Sequence, residues 1–286
     1  MILITGAGGK TGEAITQALQ RRDASVRALV RHNTQISALK QCGAREVIVG
    51  DLRNPSDLQQ ACVDVQTLYH ICPNMQPDEV TIAQNVLHAA QTQGVKRMVY
   101  HSVLHPQTEA MPHHWQKLRV EELLFQSGLD FTILQPAAYM QNILAGWQTI
   151  IESGVYRVPY AVATRLGMVD LADVAEAAAR VLTEPDHSGA IYELAGPQIL
   201  SQIEVAATLA TELKRPVHAE AVDKASWEQS ARKAGLSAYA IATLLKMFDY
   251  YERYGFGGNP RVLTDLLGRA PTSFAAFIQR ALQFQP

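Results

Sequence analysis

The chain has 286 residues, 48% hydrophobic and 18% charged, with a formal net charge of −2. This composition supplies a large apolar core and excludes a disordered chain. It carries no basic excess, so neither a nucleic acid nor an anionic membrane surface is the expected partner. The first half alternates strand and helix. Short apolar, often β-branched runs at 2–5, 25–30, 46–49, 67–71, 97–101 and 131–134 read as strands buried on both faces. Helical patterns lie between them at 11–21, 35–42, 56–62, 78–93 and 114–126. In the first of these, Ile15, Ala18 and Leu19 share one face. Such alternation predicts an α/β fold with a doubly wound parallel sheet over about residues 1–150.

After about residue 137 the pattern loosens. "MVDLADVAEAAARVLTEP" reads as a helix capped by Asp170 or Asp173, with Val174, Ala178, Val181 and Leu182 as its buried stripe and Pro185 beyond its end. "AIYELAG" and "RPVHAEAV" read as strands. "SQIEVAATLATELKR" reads as a helix opened by a capping box of Ser201 and Glu204. The tail from Asp223 is mainly helical, and Gly255 ends the aromatic stretch "AYAIATLLKMFDYYERYGFGG". Residues 151–286 are therefore expected to form a smaller, mainly helical α/β C-terminal domain for the substrate, with the stretch near 166–195 returning to the first domain. Cys42, Cys62 and Cys72 are scattered and form no C-x-x-C pair, as in reduced cytoplasmic proteins. The opening residues lack the basic and apolar regions of a leader, and no apolar run has membrane-spanning length. A cytoplasmic protein is the expectation.

"ITGAGGKTGEAI" carries the first functional signal. Gly6, Gly9 and Gly12 stand at three-residue spacing between the first strand and the first helix, and Gly8 adds a fourth glycine. Gly6 permits the turn, Gly9 admits a pyrophosphate close to the backbone, and Gly12 lets helix and strand pack. The helix start, Lys10 and Thr11, offers N–H groups and the positive end of the dipole to phosphates, although the full phosphate-loop spacing is absent. A Rossmann dinucleotide site is expected in this context. The second strand, "SVRALVRH", ends on Arg31 and His32, where an NAD-binding chain usually has an acid for the ribose hydroxyl. Arg31 suits a 2′-phosphate, so NADP(H) is the expected cofactor. After the third strand, Asp51 reads either as an acceptor for the adenine amino group, with Leu52 against the ring, or as a turn aspartate.

These residues, with "RALVR", "VGDL", "GVKRMVYHSV", "KLRVEELLFQSGLDFTILQPAAYMQN", "VDLADVAEAAARVL", "YELAGP" and "YGFGGNPRVLTDLLGRAPTSFAAF", give the chain a resemblance that spans nearly its whole length. It resembles the NmrA-like branch of the extended short-chain dehydrogenase/reductases, and within it the NADPH-dependent quinone and triphenylmethane-dye reductases. The resemblance implies a Rossmann domain, a small C-terminal domain and a substrate cleft between them. In the wider superfamily a serine and a Tyr-x-x-x-Lys pair do the chemistry. Here Ser102 ends the fifth strand and Lys117 stands on the next helix, but the tyrosine position holds His113. Lys117 is expected to hold the nicotinamide ribose. Either His113 or its neighbour His114 donates the proton, or solvent resolves the charge left by hydride transfer, or the chain binds the cofactor and catalyses nothing.

Cys72 and Pro73, after the fourth strand, are expected beside the middle of the cofactor. Pro136 and Tyr139 are expected to wall the nicotinamide, with Asn142 toward the substrate; Gln135 replaces an arginine common in the family. His101, His105, His113 and His114 lack the spacing of a metal site, and no metal is expected. Phe248, Tyr250, Tyr251, Tyr254 and Phe256 read either as an aromatic pocket for a flat substrate or as core packing. The resulting expectation is an NADP(H)-dependent oxidoreductase reducing a flat conjugated small molecule such as a quinone. The alternative is a non-catalytic NAD(P)H sensor that reports to a protein partner. Self-association is left open.

Overall fold

The computed structural model describes residues 1–284. The chain alternates β1 (Ile2–Ile4), α1 (Lys10–Gln20), β2 (Val26–Val30), α2 (Ile36–Gln41), β3 (Glu46–Val49), α3 (Pro55–Cys62), β4 (Thr67–His70), α4 (Glu79–Thr92), β5 (Arg97–His101), α5 (Pro112–Gln126) and β6 (Asp130–Pro136). It continues through β7 (Ala138–Tyr139), α6 (Trp147–Ser153), β8 (Val155–Val158), β9 (Arg165–Val169), α7 (Leu171–Thr183), β10 (Ile191–Leu194), β11 (Ile199–Ser201), α8 (Gln202–Leu213) and β12 (His218–Ala221). The helices α9 (Lys224–Lys233), α10 (Ala238–Tyr254), α11 (Arg261–Leu267) and α12 (Phe274–Phe284) follow.

Seven strands make one sheet in the order β10-β6-β5-β4-β1-β2-β3. Ile2 pairs in parallel with Val26 on one side and with Thr67 on the other, so the strand order reverses at β1. Arg97 pairs in parallel with both Thr67 and Asp130. At the far edge Ile133 and Ala137 donate to the carbonyls of Ala190 and Leu194, a register that rises together along β6 and β10 as in a parallel pair. This is the doubly wound order the alternation predicted. In sheets of this order ligands bind outside the carboxyl ends of the strands where the order reverses, which here are β1 and β4.

The chain divides into two compact units: Met1–Gln107 with His113–Gln135 and Val174–Tyr192, and Thr108–Pro112 with Pro136–Asp173 and Glu193 onward. The division falls at Pro136, earlier than the expected 150, and the returning segment is shorter than 166–195. In the first unit Leu3, Leu68, Met98 and Ile133 pack with Leu58, Ile82, Val86 and Leu124 from the covering helices. Each such side chain stabilises the unit by about 1.5–3 kcal/mol.

In the second unit β11-β9-β7 and β12-β8 are small sheets. Trp147, Ile150, Val205, Leu209, Phe274 and Phe277 are prominent in its core. The Ser201–Glu204 capping box opens α8: Ser201 Oγ accepts from Glu204 N at 3.2 Å, and Ser201 N donates to Glu204 Oε2 at 2.7 Å. Asp170, rather than Asp173, caps α7, accepting from Ala172 N at 3.0 Å. Gly255 ends α10 at φ +67°, a conformation a side chain rarely adopts. Phe248 packs on Trp227 and Tyr160, and Tyr251 on Phe256, while Tyr254 faces solvent at 62% exposure. The aromatic stretch is thus accounted for by packing within its own unit.

Candidate functional site

The glycines after β1 separate into distinct roles. Gly6 adopts φ +62°, and a Cβ there would lie 2.6 Å from Ile71 O. Gly12 lies on α1 with its Cα against Ala7, whose backbone would stand 2.5–2.7 Å from an added Cβ. Gly9 is the N-cap of α1 at φ −94°, ψ 163°, and its side chain position is open, with Gly6 O at 3.6 Å. No side chain caps α1, and Lys10 and Thr11 begin it with Gly9 and Lys10 exposed. The result is a cradle that a side chain would fill, beside free helix N–H groups. The residues present therefore fit a dinucleotide diphosphate.

Beyond β2, Arg31 and His32 are exposed. Gln35 folds back over them: its Oε1 accepts from Arg31 N at 3.2 Å and His32 N at 3.1 Å. Asp51 accepts from Arg53 N at 2.9 Å, the geometry of a turn aspartate. Leu52, expected against an adenine ring, is buried among the core residues of the first unit. Arg53 instead ties this loop to the start of α4, through Asp78 at 2.6 Å and Gln76 at 2.9 Å.

The turn meets the end of β4 directly. Thr5 Oγ1 lies 2.8 Å from His70 Nδ1, and Ile71 N donates to Thr5 Oγ1 at 3.1 Å. Past Ile71, Cys72 is buried in the core and Pro73 is exposed. Burial pushes the Cys72 thiol far up, helped by Glu79, so it is an un-ionised packing group.

Side chains from α4, β5, α5 and β6 then assemble a buried polar cluster, on which His70 of β4 stacks through Tyr100 with ring centres 5.8 Å apart. Lys117 Nζ donates to Glu79 Oε1 at 2.7 Å and to His101 O at 3.4 Å, and lies 5.5 Å from the Tyr100 ring centre. The Tyr100 hydroxyl donates to the same Glu79 oxygen at 3.0 Å. The Glu79 side chain is 3% exposed and that of Lys117 14%. An ammonium carries three N–H groups, and these two acceptors, the ones found among the described residues, account for two of them. Alongside, Ser102 donates to Glu121, and Gln135 Nε2 donates to both Glu121 oxygens at 2.9 and 3.1 Å. Ser102, expected as a catalytic hydroxyl, is committed to this buried carboxylate. Burial pushes the Glu121 carboxyl above the usual carboxylate range, against the pull of these donors and Lys117.

His113, one helical turn before Lys117, is buried and packs edge-on against His114 at 4.4 Å. Burial holds its imidazole down to about 3, with His114 and Lys117 adding to the effect. His114 is held at about 4 by burial, even though its Nδ1 is 3.1 Å from His105 O. Neutral imidazoles at these positions carry no readily donated proton at pH 7. Among the described residues no group of three His, Cys, Asp or Glu is placed to hold a metal ion.

The structure thus brings Gly6, Gly9, Gly12 and the end of β4 together, and sets Lys117, Ser102 and His113 around one cluster. In the second unit, Pro136 closes β6 in a buried position, Tyr139 ends β7 half-buried, and Asn142 is exposed. Sequence reasoning missed Gln35, Glu79 and Glu121. Glu79 reads from sequence as an ordinary first-turn acid of α4; its distinguishing signal, burial, needs the sheet order.

A Rossmann-like sheet with a glycine turn opening α1 defines the class of fold. The chain belongs to the NmrA-like family, whose model matches residues 1–277. It is 29% identical to the NAD(P)H azoreductase of Xenophilus azovorans over 97% of this chain and 96% of that protein. It superposes on the NADPH complex of an NADPH-dependent quinone oxidoreductase from Escherichia coli with a TM-score of 0.86 and 27% identity, covering 99% and 100% of the two chains. The NADP(H) complex of the Citrobacter sp. triphenylmethane reductase matches with a TM-score of 0.86 and 26% identity over 98% and 100%. Among the described residues no helix is long and apolar enough to cross a membrane.

Proposed function

We propose that this protein is an NADP(H)-dependent reductase delivering hydride to a flat, conjugated small molecule such as a quinone or a dye. The observation that carries the reading is the open cradle at Gly9 beside an uncapped α1, with Arg31 rather than an acid just after β2. The azo, quinone and triphenylmethane reductases similar to this chain support the acceptor class. When bound, the reduced nicotinamide supplies the hydride.

The chain's own residues bind and orient. The turn and first N–H groups of α1 hold the diphosphate, and Arg31 pairs with the 2′-phosphate. Lys117, anchored by Glu79, would hold the nicotinamide ribose. No proton donor is assigned: His113 is neutral and Ser102 is bonded to Glu121. A cationic triphenylmethane dye would become neutral on taking hydride and needs no proton, while the hydroquinone anion left by a quinone would take its proton from water.

The test is NADPH oxidation across quinones, azo dyes, triphenylmethane dyes and aldehydes, with NADPH and NADH titrated against wild type and Arg31→Ala. Turnover with the conjugated acceptors and tighter binding of NADPH are expected. Arg31→Ala should weaken NADPH by about 1.5–3 kcal/mol and leave NADH nearly unchanged. Equal wild-type affinities would end the cofactor assignment. Tight binding without turnover on any acceptor would replace the reductase by a redox sensor.

A further inference from the structure

The fourth glycine of the turn has no part in the roles above. Gly8 is absent from the left-handed region that Gly6 occupies, so its backbone does not demand glycine. Space does. A Cβ at Gly8 would overlap Gln35 Nε2 and stand 2.5 Å from Gln35 Cδ. The Gln35 amide fills the place of a side chain at position 8 and donates to Gly8 O at 3.1 Å. Its oxygen accepts from Arg31 N and His32 N at 3.2 and 3.1 Å. One side chain thus links the turn after β1 to the residues after β2, across 27 positions of sequence.

We propose that Gly8 and Gln35 form a clip that sets the preference for a 2′-phosphorylated adenosine. The inference rests on the reading of this turn as the NADP(H) site. Gln35 is a positioning residue. By holding the Arg31–His32 backbone against the turn, it fixes the root of the Arg31 side chain where the ribose of the dinucleotide lies. Gly8 O uses one of the two Nε2 hydrogens, and the second would be a neutral donor for the 2′-phosphate. Gly8 keeps the space that this amide occupies.

A plain structural role predicts something different. Gln35 also ends the short turn Asn33–Gln35, where an oxygen acceptor satisfies backbone N–H groups. A glutamate would serve that cap equally well. It would not donate to Gly8 O, and it would place a negative charge against the 2′-phosphate.

The experiment titrates NADPH, NADH, adenosine 2′,5′-bisphosphate and adenosine 5′-monophosphate by calorimetry. The proteins are wild type, Gly8→Ala, Gln35→Ala, Gln35→Glu and the Gly8→Ala/Gln35→Ala double variant, each with a thermal melt. Gly8→Ala is expected to fold, because the atom in its way is the movable end of Gln35. Each alanine variant should lower the NADPH-to-NADH affinity ratio about tenfold, and the double variant no further, since both break the same link. Gln35→Glu should melt like wild type yet lose more of the ratio than Gln35→Ala. The two adenosine phosphates should repeat the pattern.

An unchanged ratio, an equal loss for both dinucleotides, additive single effects, or a Gln35→Glu protein that selects NADPH like wild type would each overturn the clip. A wild type without preference for NADPH would overturn the cofactor reading first, and the clip with it. A wild-type preference that survives in every variant would overturn the clip alone.

Discussion

The turn after β1 and the polar cluster around Lys117 touch through Thr5 and His70, yet they are built on opposite principles. The turn is backbone, open to a ligand, and spelled by seven consecutive residues from Gly6 to Gly12. The cluster is side chains, largely buried, and drawn from residues as far apart as Glu79 and Lys117. A backbone site fails when its space is filled. A buried side-chain site tolerates a change of shape better than the loss of one partner of a charge. The largest tests of this contrast lie in the turn, where two glycines of the same motif should fail in different ways.

A Gly12→Val substitution places branched carbons against the Ala7 backbone, which cannot yield as a side chain can. The protein should lose about 3 kcal/mol or more by chemical denaturation, or fail to fold. At Gly9 the added Cβ meets Gly6 O only at ordinary contact distance, and φ is negative. Gly9→Val should therefore melt close to wild type while losing about 100-fold or more in NADPH affinity, roughly 2.7 kcal/mol. A folded Gly9→Val protein with normal affinity would place the diphosphate elsewhere and remove the contrast.

The cluster should respond to a missing partner. Glu79→Ala leaves Lys117 buried without its carboxylate partner, next to the His101 carbonyl at 3.4 Å and the Tyr100 ring, and strips the Tyr100 hydroxyl of its Glu79 acceptor. About 3–5 kcal/mol of stability should go. Glu79→Gln keeps an acceptor for both donors and should cost clearly less. Near-equal denaturation midpoints for the alanine variant and wild type would mean that the pair is not held as the structure has it.

The same contrast explains what the sequence made legible. The strands, the glycine turn, the Ser201–Glu204 box and the Gly255 stop are local patterns, each set by neighbours within a few positions. They correspond to β1–β6, the start of α1, the start of α8 and the end of α10. Asp51 and Leu52 were legible only as alternatives, because whether a residue after a strand faces a ring or the core depends on packing. Glu79 and Glu121 are ordinary helix acids until the order β4-β5-β6 brings Tyr100, Ser102 and Gln135 against them. Gln135 in place of an arginine becomes intelligible there, since its amide reaches both oxygens of Glu121. Gln35 stayed hidden for the same reason: its bond to Gly8 joins residues that only the pairing of β1 with β2 makes neighbours.

The smallest effect is the most selective test, because it separates the cluster's histidines from the turn entirely. His70, His101 and His113 are held at about 3 and His114 at about 4, in every case chiefly by burial. The unfolded chain protonates each near 6.5. Between these values the unfolded state binds more protons than the folded one, so stability falls as the pH drops from about 6.5 toward 3–4. The buried Glu121 works the other way, since its raised value lets the folded state take up a proton first. Within the cluster, four histidines against one carboxyl predict a net loss of stability as the pH falls below about 6.5. His113→Asn removes one of the four. The gap between this variant and wild type at pH 7 should narrow by about 2 kcal/mol at pH 5 in paired denaturation curves. NADPH affinity at pH 7 should stay where it is, because a neutral imidazole contributes no charge there. A gap that holds constant from pH 7 to pH 5 would mean that His113 is not buried neutral, and its assignment as a bystander in proton transfer would then fall.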